Sequence, residues 1–324
     1  MSEYLKTLEP LIRQKSNLTD AREFHARVNV IFHNEEAKHY DKLHTEMWES
    51  LPVQYGLLIA DIKPHIKNNQ PLKLLDVGCG TGLATQMLLD AGMDSRVAEI
   101  HLLDTSEEML KQAVKRSTKW GKKVLAINGD VNTVQEQYDI ILISSVLHHI
   151  PDLPPFLEKI SSLQKNGGLL ITIQDPAAEA QNNQVLENRK KEYQQYHESK
   201  RVNKTIIERA INKAKRLFKE PDYIKRVNKK LLEQKIINQP LTDSEIWSVT
   251  DIHVEGLPYS AGAGISKAQL VNYLRNNTLI SYRTYGFYGT MGSNLDERYR
   301  KLEHELALSN DQNGRHFCSA WIKV

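Results

Sequence analysis

The hydrophobic pattern of the chain changes character three times. Residues 1–70 are largely helical in pattern. In A-K-H-Y-D-K-L-H-T-E-M-W, Tyr40, Leu43 and Met47 fall on one helical face. From Leu72, short apolar runs alternate with helical stretches. The runs 72–77 (L-K-L-L-D-V), 100–103 (I-H-L-L), 124–128 (V-L-A-I-N), 138–144 (Y-D-I-I-L-I-S) and 169–176 (L-L-I-T-I-Q-D-P) read as buried strands. Strands and helices in alternation specify a doubly wound α/β core. Helical period returns after residue 178, with Ile207, Ala210, Ile211, Ala214, Leu217 and Phe218 on one face. Pro221 breaks that run and residues 223–235 resume it. Residues 279–289 and 316–324 alternate like two further strands, and Ser266 with Gln269 forms a capping box that starts a helix before them. The expected division is a helical cap segment at 1–70, an α/β core at 71–177, a basic helical insertion at 178–240 and the completion of the core at 241–324.

The first strand ends in L-L-D-V-G-C-G-T-G, with Gly78, Gly80 and Gly82 spaced G-x-G-x-G. Glycines let a backbone approach a ligand and adopt positive φ, and the following helix, expected over 83–91, aims its free amides at the turn. A dinucleotide-binding turn has its third glycine three residues after the second; here it comes two after. The stretch resembles motif I of the class I S-adenosylmethionine methyltransferases, in which the turn cradles an amino-acid tail. Four later landmarks fall in the order of that family: Asp104 at the end of the second strand, Asp130 after the third, Ser144–Ser145 with L-H-H-I-P-D after the fourth, and N-G-G before the fifth. The resemblance therefore spans motifs I to VI over residues 72–176.

The resemblance implies a Rossmann-like, mostly parallel sheet of seven strands with the last antiparallel. Its cofactor is S-adenosylmethionine, leaving as S-adenosylhomocysteine. The cofactor-binding set carried over is Tyr40, Asp76, Gly78, Cys79, Gly80, Gly82, Asp104, Thr105, Met109, Asp130, Val131, Ser144 and Ser145. Asp104 is placed to accept both ribose hydroxyls, Met109 to pack on the adenine and Asp130 to meet its amino group. Thr105 and Glu108 read as a capping box for the next helix. Tyr40-Asp41 matches a Tyr-Asp pair whose tyrosine closes over the cofactor carboxylate.

Composition narrows the class. The chain has 324 residues, 40% of them apolar, with a mean hydropathy of −0.50, ordinary for a globular protein. No apolar run approaches the roughly 18 residues of a membrane helix, and the first ten residues carry no signal-peptide pattern. Two cysteines, Cys79 and Cys318, fit a reducing, cytoplasmic setting, and neither has metal-ligand company, so no metal is expected. The net charge of +3 hides an asymmetry: residues 181–235 carry +9 and the remainder −6. Such a segment is either a solvated helical face or an attractor of an anionic acceptor, a carrier protein or RNA.

Methyl transfer is an in-line displacement that needs positioning more than chemistry. Motif IV reads S-S-V-L-H-H-I-P-D, not the [N/D]-P-P-[Y/F] of enzymes that methylate amino groups of adenine or glutamine. That form resembles the branch acting on small molecules, so a small-molecule acceptor, aromatic or anionic, is the leading expectation. RNA or protein as the acceptor, and non-catalytic cofactor binding, are the alternatives. His149 and His148 are the candidate bases, set against a role in shaping the loop. Residues 245–264, with Trp247, Asp251, His253 and Tyr259, read as a loop offering substrate contacts. Tyr282, Tyr285, Phe287 and Tyr288 read as strand packing or a pocket wall.

Overall fold

The computed structural model describes residues 2–44, 47–66, 70–202, 223–254, 256–262, 264–290 and 294–324. The amphipathic face expected over 207–218 and the break at Pro221 lie outside them. Five helices precede the sheet: α1 (Glu3–Thr7), α2 (Glu9–Lys15), α3 (Ala21–Glu36), α4 (Tyr40–Leu43) and α5 (Met47–Ile62). The seven strands are β1 (Leu72–Val77), β2 (Val97–Asp104), β3 (Lys123–Asn128), β4 (Tyr138–Ser144), β5 (Gln164–Pro176), β6 (Asn277–Tyr285) and β7 (His316–Lys323), in one sheet of order 3-2-1-4-5-7-6. β1 to β5 are parallel, and β7 runs antiparallel to both β5 and β6, as the resemblance implies.

Both faces of the sheet are covered, which is why its central strands are continuous apolar runs. One face packs on α5, α6 (Leu83–Leu88), α7 (Glu107–Ser117), α9 (Gln184–Val202) and α13 (Glu297–Leu308). The other packs on α8 (Leu153–Leu163) and α12 (Lys267–Tyr273). β3 forms an edge, and Leu125 on it is 46% exposed. The helix expected over 83–91 is α6 followed by a wider turn at Leu89–Met93, with Gly92 at φ 109°.

A third apolar cluster stands apart from the sheet. Leu5, Leu8, Phe24, Val28 and Phe32 of the N-terminal helices pack with Ile224, Val227 and Leu231 of α10 (Tyr223–Glu233) and Ile246 and Val249 of α11 (Asp243–Thr250). This is a cap built from two distant segments. Its limits differ from the expected divisions at 70 and 240. α5 is apolar enough on one face to join the sheet layer, and α11 lies in the cap. α9 leaves the insertion to pack Tyr193 and Tyr196 against Tyr299, and Tyr193 also meets Tyr288.

Three local expectations shift. The helix after β2 is capped by Ser106, whose hydroxyl accepts the Met109 amide at 3.1 Å, and not by Thr105 with Glu108. Asp104 takes the Ser106 amide at 2.8 Å and keeps Thr105 in the turn. Tyr40, Leu43 and Met47 do not share a continuous helix: α4 ends at His44, which turns back to Glu36 at 3.1 Å, leaving Leu43 exposed and Met47 buried. The stretch from residue 245 begins as helix α11, capped by a Thr242–Glu245 box, rather than as loop. The Ser266–Gln269 box forms as expected.

Candidate functional site

A cavity of about 450 Å3 opens at the carboxyl ends of β1, β2 and β4, where a doubly wound sheet places its ligands. Gly80 lies on its wall with φ +52°, and a Cβ added there would meet nothing within 4 Å. The backbone of this turn is thus left bare toward the cavity. Gly78, at φ +64°, has a different reason to be glycine, since a Cβ would collide with Val146.

Asp104 crosses the turn. Its Oδ2 accepts the Gly80 amide and its Oδ1 the Ser106 amide, both at 2.8 Å. Each oxygen keeps a further lone pair for a ligand hydroxyl. Burial raises the Asp104 carboxyl, with the two amides opposing. Asp130 caps the turn after β3 by accepting the Asn132 amide at 2.8 Å and stays exposed on the cavity rim beside Gly129 and Val131. Thr105, Met109, Ser144, Ser145 and Tyr40 line the same space. A bare glycine backbone, a half-buried carboxylate with spare acceptor capacity and a second carboxylate beyond it fit a nucleoside with an amino-acid tail.

Four of the expected residues stand behind this wall. Asp76 is fully buried and accepts the Thr85 hydroxyl at 2.5 Å, while its Oδ1 has no partner among the described residues. Burial, helped by the charge of Asp104, pushes Asp76 up to about 7. Cys79 donates its amide to the Leu103 carbonyl at 3.0 Å, and burial raises its thiol. Gly82 begins α6 and lets it approach Ala113 and Trp120. These three shape the turn from beneath.

His148 is the fourth. Its Nδ1 lies 2.7 Å from Asp175 Oδ1, which also accepts its amide at 3.1 Å, and its Nε2 is 3.9 Å from Asp251. Burial lowers this imidazole, but the Asp175 hydrogen bond and the two carboxylates outweigh it and the net shift is upward. His149 does line the cavity. Its Nδ1 hydrogen-bonds the Thr250 carbonyl. Burial first, then the neighbouring His148 and His33, hold it well below the usual range. The two adjacent histidines therefore differ: one is held between carboxylates behind the wall, and the other is a neutral wall group.

The roof is α3, part of the cap segment expected at 1–70, though none of its cavity-lining residues was singled out from the sequence. Arg22, His25, Asn29 and His33 line the cavity at helical spacing, opposite the apolar Phe24, Val28 and Phe32 that fill the cap. That alternation of faces was the signal available. Arg22 reaches Asp152 across the cleft at 3.5 Å. Asn34 Oδ1 accepts from the Ser106 hydroxyl at 2.7 Å. Burial and Arg22 lower His25 to about 4. Below Tyr40, Asp41 accepts the Thr81 hydroxyl at 2.8 Å and pairs with Arg116, whose Nε donates to the Thr81 carbonyl at 2.8 Å.

Residues 68–240 match the profile of a family described as a methyltransferase domain. The chain belongs to that family. The chain shares 32% identity over 145 residues with a highly reducing polyketide synthase of Aspergillus carbonarius, covering 39% of this chain and 6% of the synthase. It shares 25% identity over 122 residues with the ubiquinone biosynthesis O-methyltransferase of Rickettsia bellii, covering 37% of this chain and 49% of that enzyme. The matches thus span a small part of one relative and about half of the other. A solved S-adenosylmethionine-dependent methyltransferase from Clostridium acetobutylicum superposes with a TM-score of 0.47 at 13% identity, over 90% of this chain and 98% of that one. The sheet is the Rossmann-like class I methyltransferase fold.

Among the described residues no group of three or more His, Cys, Asp or Glu is arranged to hold a metal, and no helix is long and apolar enough to cross a membrane. Part of the basic charge of residues 181–235 is neutralised within the fold: Arg189 pairs with Asp311 at 2.9 Å and Arg226 with Glu35 at 3.0 Å.

Proposed function

We propose that the protein transfers the methyl group of S-adenosylmethionine to a small-molecule acceptor. The observation that carries this is the roofed cavity. A helix laid over the strand ends turns them into a partly covered cleft of about 450 Å3, suited to a cofactor and a small acceptor rather than to a duplex or a folded protein. The likeness of 32% to part of a polyketide synthase and of 25% to part of a quinone-pathway methyltransferase supports the same class of acceptor.

S-adenosylmethionine supplies an electrophilic methyl group on a sulfonium. Asp104 and the Gly80 backbone hold the nucleoside and tail, Asp130, Val131 and Met109 flank the adenine, and Tyr40 covers the tail. This fixes the direction of approach, which is most of what the reaction requires. With the cofactor held there, its sulfonium would supply the methyl group and keep the carbon–sulfur electron pair, and His149 Nε2 or water would take the acceptor proton. His149 keeps a ring nitrogen for that proton, while the burial that lowers its pKa also weakens it as a base. His148, behind it, positions the loop through Asp175.

The test supplies methyl-labelled cofactor and a cell extract separated into small-molecule, protein and RNA fractions. Label is expected in the small-molecule fraction with wild type and at background with Asp104→Ala, whose affinity for S-adenosylhomocysteine should fall at least about tenfold, as expected for losing two hydrogen bonds to a charged group. Label in RNA or protein overturns the acceptor assignment. No binding of the cofactor overturns the whole reading.

A further inference from the structure

Strand β5 changes phase near its end. Up to Ile173 it alternates: Ile171 and Ile173 join the apolar cluster on the α5 face, and Leu170 joins the one on the α8 face. Continued alternation would aim residue 175 at the α5 face. The register against β7 breaks that count. Cys318 stands opposite Ile173 and its neighbour Phe317 stands opposite Asp175, so Gln174 is an extra residue with no counterpart on β7. This is a β-bulge, which bends a strand and re-aims the side chains that follow. Ala177 packs on the α8 face. Asp175 meets the Leu147–His149 turn, where it takes the His148 amide at 3.1 Å and lies 2.7 Å from His148 Nδ1. The bulge also holds a strained backbone. Gln174 has φ +71°, and among the described non-glycine residues with positive φ it alone lies inside a strand.

The bulge is pinned from beyond β7. Tyr285, at the end of β6 and 1% exposed, donates its hydroxyl to Gln174 Oε1 at 2.7 Å. Glycine, asparagine and aspartate enter the left-handed region readily, and glutamine does not. The buried bond to Tyr285 supplies what the residue type lacks. Strain of this kind persists where the surrounding structure imposes it, and it gathers at functional sites. Part of the cavity wall hangs from this end of β5. The Ile173 carbonyl accepts the Ser145 amide at 2.8 Å, and Asp175 holds the turn that carries His149. Ser145 and His149 line the cavity, while Gln174 and Tyr285 do not. We propose that Gln174 and Tyr285 are positioning residues for methyl transfer: their bulge turns Asp175 onto His148 and thereby fixes where His149 stands in the wall. The catalytic part of this inference rests on the reading that the cavity holds S-adenosylmethionine and a small acceptor together.

The experiment reads His148 in the full-length protein saturated with S-adenosylhomocysteine, by NMR titration of the histidine rings, with its signal assigned by its loss in His148→Gln. Burial lowers this imidazole, and the Asp175 hydrogen bond with the charges of Asp251 and Asp175 raises it past that. His149 of its own turn, His253 and His316 of β7 also face it, but of all these groups only Asp175 is carried by the bulged strand. Gln174→Val, whose β-branched side chain resists positive φ, should lower the titration midpoint toward that of Asp175→Asn. Gln174→Gly adopts the same φ freely and should keep the wild-type midpoint. Tyr285→Phe, which removes one oxygen and keeps the ring, should lower it less far. Affinity for S-adenosylhomocysteine should be unchanged in all three, while transfer of label to the small-molecule fraction falls about 10–100-fold in Gln174→Val. A wild-type midpoint in both Gln174→Val and Tyr285→Phe overturns the proposal; if valine prevents folding, Tyr285→Phe decides alone. A midpoint lowered equally in Gln174→Gly assigns the effect to the amide instead of the bulge and also overturns it. So does label transfer at the wild-type rate in Gln174→Val, or loss of S-adenosylhomocysteine affinity in Tyr285→Phe. Wild type that passes no label to small molecules defeats the acceptor reading instead, and the titration, which needs no acceptor, tells the two failures apart.

Discussion

Glu36 sits beneath His33 and His44, its two oxygens 3.3 and 3.1 Å from their ring nitrogens. Burial pushes its carboxyl up, but the two histidines outweigh that and hold it down at about 2, against an ordinary 4.5. A depressed carboxyl contributes stability that is present above its unfolded value and is lost as pH falls. Glu36→Gln should therefore flatten the acid limb of the stability curve between about pH 4.5 and 2, by on the order of 3 kcal/mol, as read from urea midpoints across that range. Asp76 behaves oppositely. Burial raises it to about 7, so the folded protein holds a proton that the unfolded chain releases near pH 4, and stability drains away as pH rises between those values. Asp76→Asn should match wild type near pH 4 and exceed it in urea midpoint at pH 8; a lower midpoint at pH 8 would refute the assignment.

At the scale of elements, α4 is the least secured piece of the site. None of its four residues is buried, yet it carries Tyr40 to the cavity wall. Besides the packing of Tyr40 on the sheet-side apolar cluster, polar contacts hold it: Asp41 to Thr81 and Arg116 on one side, and His44 to Glu36 on the other. The Asp41 side chain is 36% exposed, so the pair with Arg116 is partly screened and is given about 1 kcal/mol. Asp41→Asn is expected to speed S-adenosylhomocysteine release about fivefold in stopped-flow measurements and to weaken the dependence of that rate on salt. A release rate unmoved by the substitution would separate α4 from cofactor retention. α4 also marks how far pattern reading reached. The core strands were legible because a parallel sheet buried on both faces writes itself as continuous apolar runs, and Asp104 because it terminates one of them. The break at His44 was not, because the contact that ends α4 is with Glu36 on another helix. The lining residues of the roof helix escaped for a related reason: His25, Asn29 and His33 look like the solvent face of an amphipathic helix until the cap is folded over the strand ends.

At the scale of the whole molecule, the cap and the sheet are separate apolar clusters joined by polar contacts such as Asn34 to Ser106 and Arg22 to Asp152. A substitution inside the cap should act on the roof and spare the floor. Phe24, fully buried, is the natural site. Phe24→Ala should cost about 3–5 kcal/mol and raise amide exchange in both 3–36 and 223–252, while exchange in β1 and β4 stays as in wild type. Methyl transfer should fall further than S-adenosylhomocysteine affinity, since the strand-end contacts of Asp104 and Gly80 remain. Uniformly faster exchange across the sheet would mean that cap and core unfold as one unit. Asp76, Cys79, Gly82 and His148 were expected at the ligand because motif spacing locates a turn but not which side of it faces inward; only the packing of α6 on Ala113, the Thr85 bond and the Asp175 pairing decide that.

The two-segment cap has a further consequence during synthesis. Its first half, residues 3–36, leaves the ribosome about 190 residues before α10 and α11, the partners of its apolar face. At about 5–20 residues per second, Leu5, Phe24, Val28 and Phe32 wait roughly 10–40 s without their partners while the sheet assembles behind them. The nascent chain thus carries an unpartnered amphipathic segment until residues 223–252 follow, and that segment is where a holding chaperone would grip it and where slow elongation would cost the most yield.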